Sequence, residues 1–358
     1  MKRLWSMVLA GVFIVSAVGA TTASAEPQKL KEIRFGCSGG GYGKPFSIYL
    51  VGLVLAKGAL EKEFEPDGIK INWTVFKGAG PAINEAFANG LLDIGAYGDF
   101  PAIISRAGGV RHHLISTSYK RTSAYIAVPK DSNAKSIADL RGKKIGISKG
   151  TTSQLVFNNL IKSQGLQEKD FRLINLSGQD GDNALSGGEI DALFGSTNLL
   201  KLRNQGLARL IWSTGDKGVP DDWKAFGQVV VLDRFSKEHP EIIQRIMNVY
   251  VQTAYWASLP ENRQEVLRLM AMTGTPLAFY KEDLEGREVK EIIDPLLDPF
   301  AVQHYKNAVA FAKERGFIRK EFDVDEWVDR SYLNAALKAQ GLEDFWPPHD
   351  VDGNINVK

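Results

Sequence analysis

Short apolar runs alternate with segments of helical periodicity over residues 32–211. Runs such as 33–37, 69–76 and 93–97 have the length of strands, and the segments between them place apolar residues three or four positions apart. This alternation is typical of βαβ units on a mostly parallel sheet. The sequence therefore predicts an α/β protein over this part of the chain.

Beyond residue 236 the pattern is nearly all helical, with breaks at Pro260, Pro276 and Pro299. We therefore expect a helical C-terminal tail.

Two polar or loop-like stretches interrupt the alternation. Residues 117–123 are polar, and the chain after residue 215 is loop-like until a strand predicted at 228–232. We interpret them as two crossovers, the last strand returning to the first lobe. The predicted parts are a signal peptide at 1–25, a first lobe at 26–118, a second lobe at 119–215, and the return strand with C-terminal helices at 216–358. Two lobes joined by two crossover hinges enclose a cleft.

The first twenty-five residues have the features of an export signal. Lys2 and Arg3 precede an apolar run at 7–18, and small residues end the segment. The run is too short for a retained transmembrane helix. We expect cleavage before Glu26 and release into the periplasm.

The composition limits the possible functions. The chain has 44 basic and 42 acidic residues, and removal of Lys2 and Arg3 with the signal leaves equal numbers. The mature chain is then formally neutral, so it has no net positive charge that would attract nucleic acid. A single cysteine excludes an internal disulfide, and the five histidines lack metal-ligand spacing. We expect a monomer with no cofactor, no metal and no nucleic-acid partner.

Three turns combine Gly with Ser, Thr, Asp or Pro at the point where a predicted strand passes into a predicted helix. Such turns present unpaired backbone N–H groups and the positive end of a helix dipole, which together bind anions. The turns are Gly78-Ala79-Gly80-Pro81, Gly98-Asp99-Phe100-Pro101 and Gly150-Thr151-Thr152-Ser153. The sequence therefore predicts capture of a small anion rather than its conversion.

These turns and their flanks resemble the solute-binding proteins of ABC importers for aliphatic sulfonates, and more loosely those for taurine, nitrate and thiamine precursors. The similar blocks occur in order over residues 32–215, and they are 52–57, 73–81, 93–101 and 149–153. The resemblance implies the type II periplasmic binding protein fold, whose lobes close on a ligand and hand it to a membrane permease.

The resemblance also implies a set of ligand-binding residues. The family's anion-binding turns fall on Gly78, Ala79, Gly80, Gly98, Asp99, Thr151, Thr152 and Ser153. The candidates that complete the expected site are Ser38 and Tyr42 in a glycine-rich turn after the first strand, Tyr97, and the hydroxyls of Ser196 and Thr197.

Several of these residues have alternative interpretations. Asp99 either caps its own helix or receives a ligand amine. Tyr42 either covers the organic part of the ligand or belongs to an exposed loop. Ser196 and Thr197 either donate to the ligand or start a helix.

Four cations near the turns are also open to two interpretations. Each either neutralises the ligand or, as is common for lysine, belongs to a solvated surface. They are Lys77, Lys120, Arg121 and Lys149.

Cys37, at the end of the first strand, faces the predicted cleft and raises an enzyme alternative. The same fold houses a sulfinate desulfinase with a cysteine nucleophile in the corresponding region. Activation of the thiol would need a cation or histidine beside it, and no histidine lies between Cys37 and His112. We therefore expect a binding protein rather than an enzyme. Receptors for nitrate or for a thiamine-precursor-like heterocycle remain alternatives.

Overall fold

The computed structural model describes residues 30–39 and 46–355. The predicted signal peptide and Tyr42 in the glycine-rich turn lie outside these residues.

The first sheet has the strand order β2-β1-β3-β10-β4. Strands β1, β2 and β3 are parallel, and β10 is antiparallel to both β3 and β4. The strands are Glu32–Ser38 (β1), Lys70–Phe76 (β2), Ile94–Gly98 (β3), His112–Thr122 (β4) and Ala225–Leu232 (β10). The predicted return of the chain to this sheet is confirmed.

The second sheet has the order β7-β6-β8-β5-β9, with β5 antiparallel to β8 and β9. Its strands are Tyr125–Pro129 (β5), Lys144–Ile147 (β6), Arg172–Asn175 (β7), Ala192–Gly195 (β8) and Ala208–Ser213 (β9). The two sheets have separate buried cores, so the predicted two-sheet α/β architecture is confirmed.

In the part of the chain that the structure describes, seven α-helices precede β10. They are Tyr49–Ala56 (α1), Ala59–Phe64 (α2), Ala79–Ala88 (α3), Asp99–Ala107 (α4), Thr152–Ser163 (α5), Gly178–Ser186 (α6) and Leu199–Asn204 (α7). The segment of helical periodicity between β1 and β2 forms two helices, α1 and α2, because Gly58 takes a left-handed conformation with φ of +55° between them. Helix α6 was not predicted.

The C-terminal part is helical, as predicted. Its helices are Asp233–Glu238 (α8), Pro240–Ser258 (α9), Arg263–Met270 (α10), Leu277–Asp283 (α11), Pro299–Glu314 (α12), Val324–Trp327 (α13) and Ser331–Gln340 (α14). Most of these helices pack into the core of the first sheet, with Trp327 and Trp346 almost fully buried. Among the described residues, no helix is both long and apolar enough to span a membrane.

The first crossover is shorter than the sequence suggested. Strand β4 continues through the polar run to Thr122, which pairs with Ala225 of β10, and the second sheet begins at Tyr125. The polar run is buried because C-terminal residues accept its hydrogen bonds: the Thr117 hydroxyl donates to the Asp294 carbonyl, and the Lys120 N–H donates to the Ile292 carbonyl.

Candidate functional site

A cleft of about 540 Å³ lies between the two sheets, and residues from both lobes line it. The N-termini of α3, α4, α5 and α6 all contribute to its wall. Nine of the predicted site residues line the cleft, namely Ser38, Ala79, Gly80, Gly98, Thr151, Thr152, Ser153, Ser196 and Thr197.

Three predicted residues lie outside this lining. Gly78 precedes α3 without facing the cleft, and Tyr97 is buried beneath Gly80. Asp99 is completely buried behind the wall. All three are among the candidate ligand-binding residues of the sequence analysis, with Asp99 open to a second interpretation as a cap. The alternation of sides along β3 explains the position of Tyr97: a strand that presents Gly98 to the cleft directs the preceding side chain to the opposite face.

Helix α3 begins at the cleft with strained backbone. Ala79 has φ of +51°, a left-handed conformation that costs energy for a residue with a side chain. Gly80 packs against the ring of Pro101 at the start of α4. No described residue accepts a hydrogen bond from the backbone N–H groups of Ala79 and Gly80, so both donors are available to a ligand.

The α5 turn offers fewer free hydroxyls than the sequence suggested. Thr151 caps the helix, since its hydroxyl accepts from the Ser153 N–H at 3.2 Å and donates to the Ser148 carbonyl at 2.8 Å. The Thr152 hydroxyl donates to an Asp99 carboxylate oxygen at 2.6 Å. Ser153 remains, half-buried in the lining with no hydrogen bond from its hydroxyl to a described residue.

Asp99 receives hydrogen bonds from three described residues, and of these only Thr152 lines the cleft. It accepts from the Phe100 N–H of its own helix at 2.6 Å, although the N-cap position of α4 is Gly98 and Asp99 is the first helical residue. It also accepts the Thr152 hydroxyl, and its second oxygen lies 2.7 Å from His304 Nε2. Because Asp99 is buried outside the lining, the structure does not support the interpretation in which it receives a ligand amine.

The second lobe adds two further turns to the wall. Ser196 and Thr197 follow β8, and their hydroxyls donate to Asn198 and to Asp283 of α11, each at 3.2 Å. The start of α6, Ser177 to Asp180, also lines the cleft. The sequence analysis missed it together with the helix.

Aromatic and hydroxyl side chains of the first lobe complete the wall. Tyr49 and Tyr119 have ring centroids 4.8 Å apart, and burial raises the pKa of each hydroxyl, which keeps both neutral. Thr273, Thr275 and Tyr280 reach the cleft from the C-terminal helices, where the Thr273 and Tyr280 hydroxyl oxygens lie 2.9 Å apart. The break at Pro276 was the only sequence signal near them.

Charged side chains are sparse in the described lining, which has one cation, Lys77, and one anion, Asp180. Both are exposed. Lys149 is exposed but outside the lining. Arg121 is buried, pairs with Asp221 at 3.2 Å and also lies outside it.

The interpretation of Lys120 as a solvated surface residue is wrong. It is 1% exposed, with its ammonium 2.9 Å from Asp294 and 3.6 Å from Asp298. Asp294, Asp298 and His349 are close enough together to hold a metal ion, but the Lys120 ammonium already pairs with both carboxylates.

Cys37 is not placed for catalysis. It is completely buried, and it does not line the cleft, contrary to our expectation. Burial raises the pKa of its thiol to about 11, so the nucleophilic thiolate is scarce at neutral pH.

Comparison with known proteins places these features in a family. The family described as NMT1/THI5 like matches residues 61–262. A Bacillus subtilis protein named for the binding of aliphatic sulfonates is 26% identical over 345 residues, covering 94% of this chain and 98% of its own.

Two solved structures extend the likeness. The periplasmic sulfonate-binding protein of a sulfonate ABC transporter from Methylobacillus flagellatus is 34% identical, with a TM-score of 0.77, covering 90% of this chain and 98% of its own. The alkanesulfonate-binding protein of Xanthomonas axonopodis, solved with MOPS bound, is 22% identical with a TM-score of 0.71, covering 85% and 99%. At 22% identity, the likeness to the Xanthomonas axonopodis protein shows a shared fold and no more.

Proposed function

The chain belongs to the NMT1/THI5-like family, and from that premise we propose that it captures an organosulfonate in its cleft and delivers it to an ABC importer. It acts as a binding protein and not as an enzyme, in keeping with the sulfonate-binding relatives and with the buried thiol of Cys37.

The observation that carries this proposal is the convergence of helix N-termini on one cleft. The free N–H groups at the start of α3, the Ser153 hydroxyl and the start of α6 all belong to its wall. Because Lys77 and Asp180 balance each other in formal charge, the attraction for an anion comes from the helix ends. A sulfonate stays ionised at any physiological pH and offers three oxygens to several donors.

The size of the cleft favours an organic anion. Its volume of about 540 Å³ lies in the range of sites for organic ligands, and a nitrate ion would fill a small part of it. Tyr49, Tyr119 and Phe194 supply wall for the organic group.

We further propose how the protein works in the cell. The signal at 1–25 directs export to the periplasm. The mature monomer presents its two lobes, with the boundary between them at residue 118. The lobes close on the ligand, and the closed form docks on the permease of the importer.

Calorimetric titration and thermal denaturation of the mature protein test the proposal. Butanesulfonate is compared with butyrate, butylamine and glucose, which change the head group or remove the charge. Nitrate and a thiamine precursor are tested in the same way. We expect butanesulfonate to bind, and at a concentration of 100 times its Kd to add about 2.7 kcal/mol of stability by linkage. Stabilisation by glucose or butylamine alone would contradict it, and a response to nitrate or to a thiamine precursor alone would favour those alternatives.

A further inference from the structure

Two threonines in the cleft wall use their hydroxyls to hold the lobes together. Thr152 of α5 donates to Asp99 of α4 at 2.6 Å, and Thr197 before α7 donates to Asp283 of α11 at 3.2 Å. Both aspartates are buried, at 0% and 9% exposure, and neither lines the cleft. The same arrangement, a threonine of the second lobe on a buried carboxylate of the first, thus occurs twice.

The first lobe holds Asp99 in place. The Phe100 N–H and His304 Nε2 contact its two oxygens at 2.6 and 2.7 Å. Behind it, His304 Nδ1 lies 2.9 Å from the Asp222 carbonyl in the second crossover, and its ring stacks on Phe226 at 3.9 Å. Asp99 is therefore a fixed acceptor within the first lobe. When the lobes close, the Thr152 hydroxyl is the group that moves to reach it.

Asp283 receives two hydroxyls from the second lobe. Tyr125 of β5 donates to one oxygen at 2.5 Å and Thr197 to the other. Burial and the charge of Asp283 raise the pKa of Tyr125, which keeps its hydroxyl protonated as a donor. Helix α11 packs in the first-lobe core through Tyr280, with Leu284 directly after the helix in the same core, and its Phe279 packs against a second-lobe cluster.

We propose that Asp99 and Asp283 are closure latches: they position Thr152 and Thr197 when the lobes shut, and they set the ligand affinity without contacting the ligand. This inference rests on the proposed function for its ligand but not for its geometry. In an open form the lobes separate and these bonds are lost, whereas in the closed form each hydroxyl donates to a charged acceptor out of water, where such bonds are strongest.

The latches have a consequence for ligand recognition. A hydroxyl has one proton, so Thr152 and Thr197 cannot donate to an anion while they donate to the aspartates. The anion is then held by backbone N–H groups and Ser153. The threonines raise the fraction of molecules in the closed form, and the apparent affinity for the ligand rises with that fraction.

Paired substitutions separate the latch from simple packing. Thr152→Val and Thr197→Val keep the shape and remove the proton, whereas Thr152→Ser and Thr197→Ser keep the proton. We expect each valine variant to bind butanesulfonate about 10-fold or more weakly than its serine counterpart, mainly through faster dissociation. Lys162→Gln is the control, because its inter-lobe ion pair with Glu314 is half exposed, so loss of that pair should change affinity by less than about threefold.

Closure is measured directly by energy transfer between dyes on Lys62→Cys and Lys169→Cys, exposed sites on opposite lobes; the buried Cys37 stays unlabelled. We expect the valine substitutions to lower the closed fraction with and without butanesulfonate. Asp99→Asn provides a second route should a valine variant unfold: it should shift closure in the same direction, and its effect should not add to that of Thr152→Val.

The outcomes separate the two proposals. Valine variants that bind and close like the serine variants, or additive effects of Asp99→Asn and Thr152→Val, would overturn the latch. If the parent protein binds no sulfonate, the proposed function fails, and the closed fraction without ligand still decides the latch.

Discussion

Gly98→Ala should block closure while leaving the first lobe intact. Gly98 has φ of −64° and ψ of 156°, which alanine adopts without strain. Its methyl group would lie 2.1 Å from Thr152 Oγ1 and 3.2 Å from Thr152 Cβ. The nearest obstacle is therefore in the other lobe, which must retreat by roughly an ångström to reach normal contact.

The closed form then loses two contributions. Overpacking costs about 1–3 kcal/mol, and the displaced Thr152–Asp99 hydrogen bond costs about 1.5–3 kcal/mol. We expect sulfonate affinity to fall by roughly 60-fold or more, since each 1.4 kcal/mol is about tenfold. The free energy of unfolding of the ligand-free protein should change by less than about 1 kcal/mol, because the open form accommodates the methyl group.

Calorimetry measures the affinity, urea denaturation the stability, and small-angle scattering the compaction on adding ligand. Gly108→Ala is the matched control at the other end of α4, with a compatible φ of −75° and its nearest contact at 3.1 Å within the same helix. A Gly98→Ala protein that binds and compacts like the Gly108→Ala protein would refute the reasoning.

Three further substitutions test the cleft and the core. Cys37→Ser should bind butanesulfonate within about threefold of the parent by calorimetry, because the thiol lies outside the cleft; loss of binding would give the thiol a role. Lys120→Met should lower the free energy of unfolding in urea by about 3–5 kcal/mol, because two buried carboxylates lose their cation; a change below about 1 kcal/mol would contradict this ion pairing. Burial lowers the pKa of His112 to about 3 from 6.5, so the unfolded chain binds the proton first and stability falls as pH drops from about 6.5 towards 3, by at most about 1.4 kcal/mol per pH unit. Denaturation at pH 6.5 and 4.5 should show a smaller loss in His112→Gln than in the parent, and equal losses would exclude the histidine as the cause.

The strand and helix order of the first lobe could be predicted because each element has a local signal. The apolar runs of β1, β2 and β3, the Gly-Pro turn after β2 and the Gly-Asp turn after β3 can all be recognised from neighbouring residues. Helix α6 has no such signal, since it has two glycines and few apolar residues among its nine. Its formation depends on packing against β8.

The site was less predictable because much of its wall is non-local. The turns at Ala79 and Thr151 could be found from their sequence, whereas Thr273 and Tyr280 reach the cleft through the folding of the C-terminal helices. The partner of Thr152 likewise comes from another lobe, so no sequence pattern around residues 150–153 could show that its hydroxyl is already engaged.

The most direct test of the central claim is a crystal structure of the protein with butanesulfonate. We expect the sulfonate oxygens within about 3.2 Å of the backbone N–H groups of Ala79 and Gly80 and of the Ser153 hydroxyl, with the butyl chain towards Tyr49 and Tyr119. A sulfonate bound outside the cleft, or one held in it by Lys77 alone with the helix N-termini unoccupied, would contradict the account.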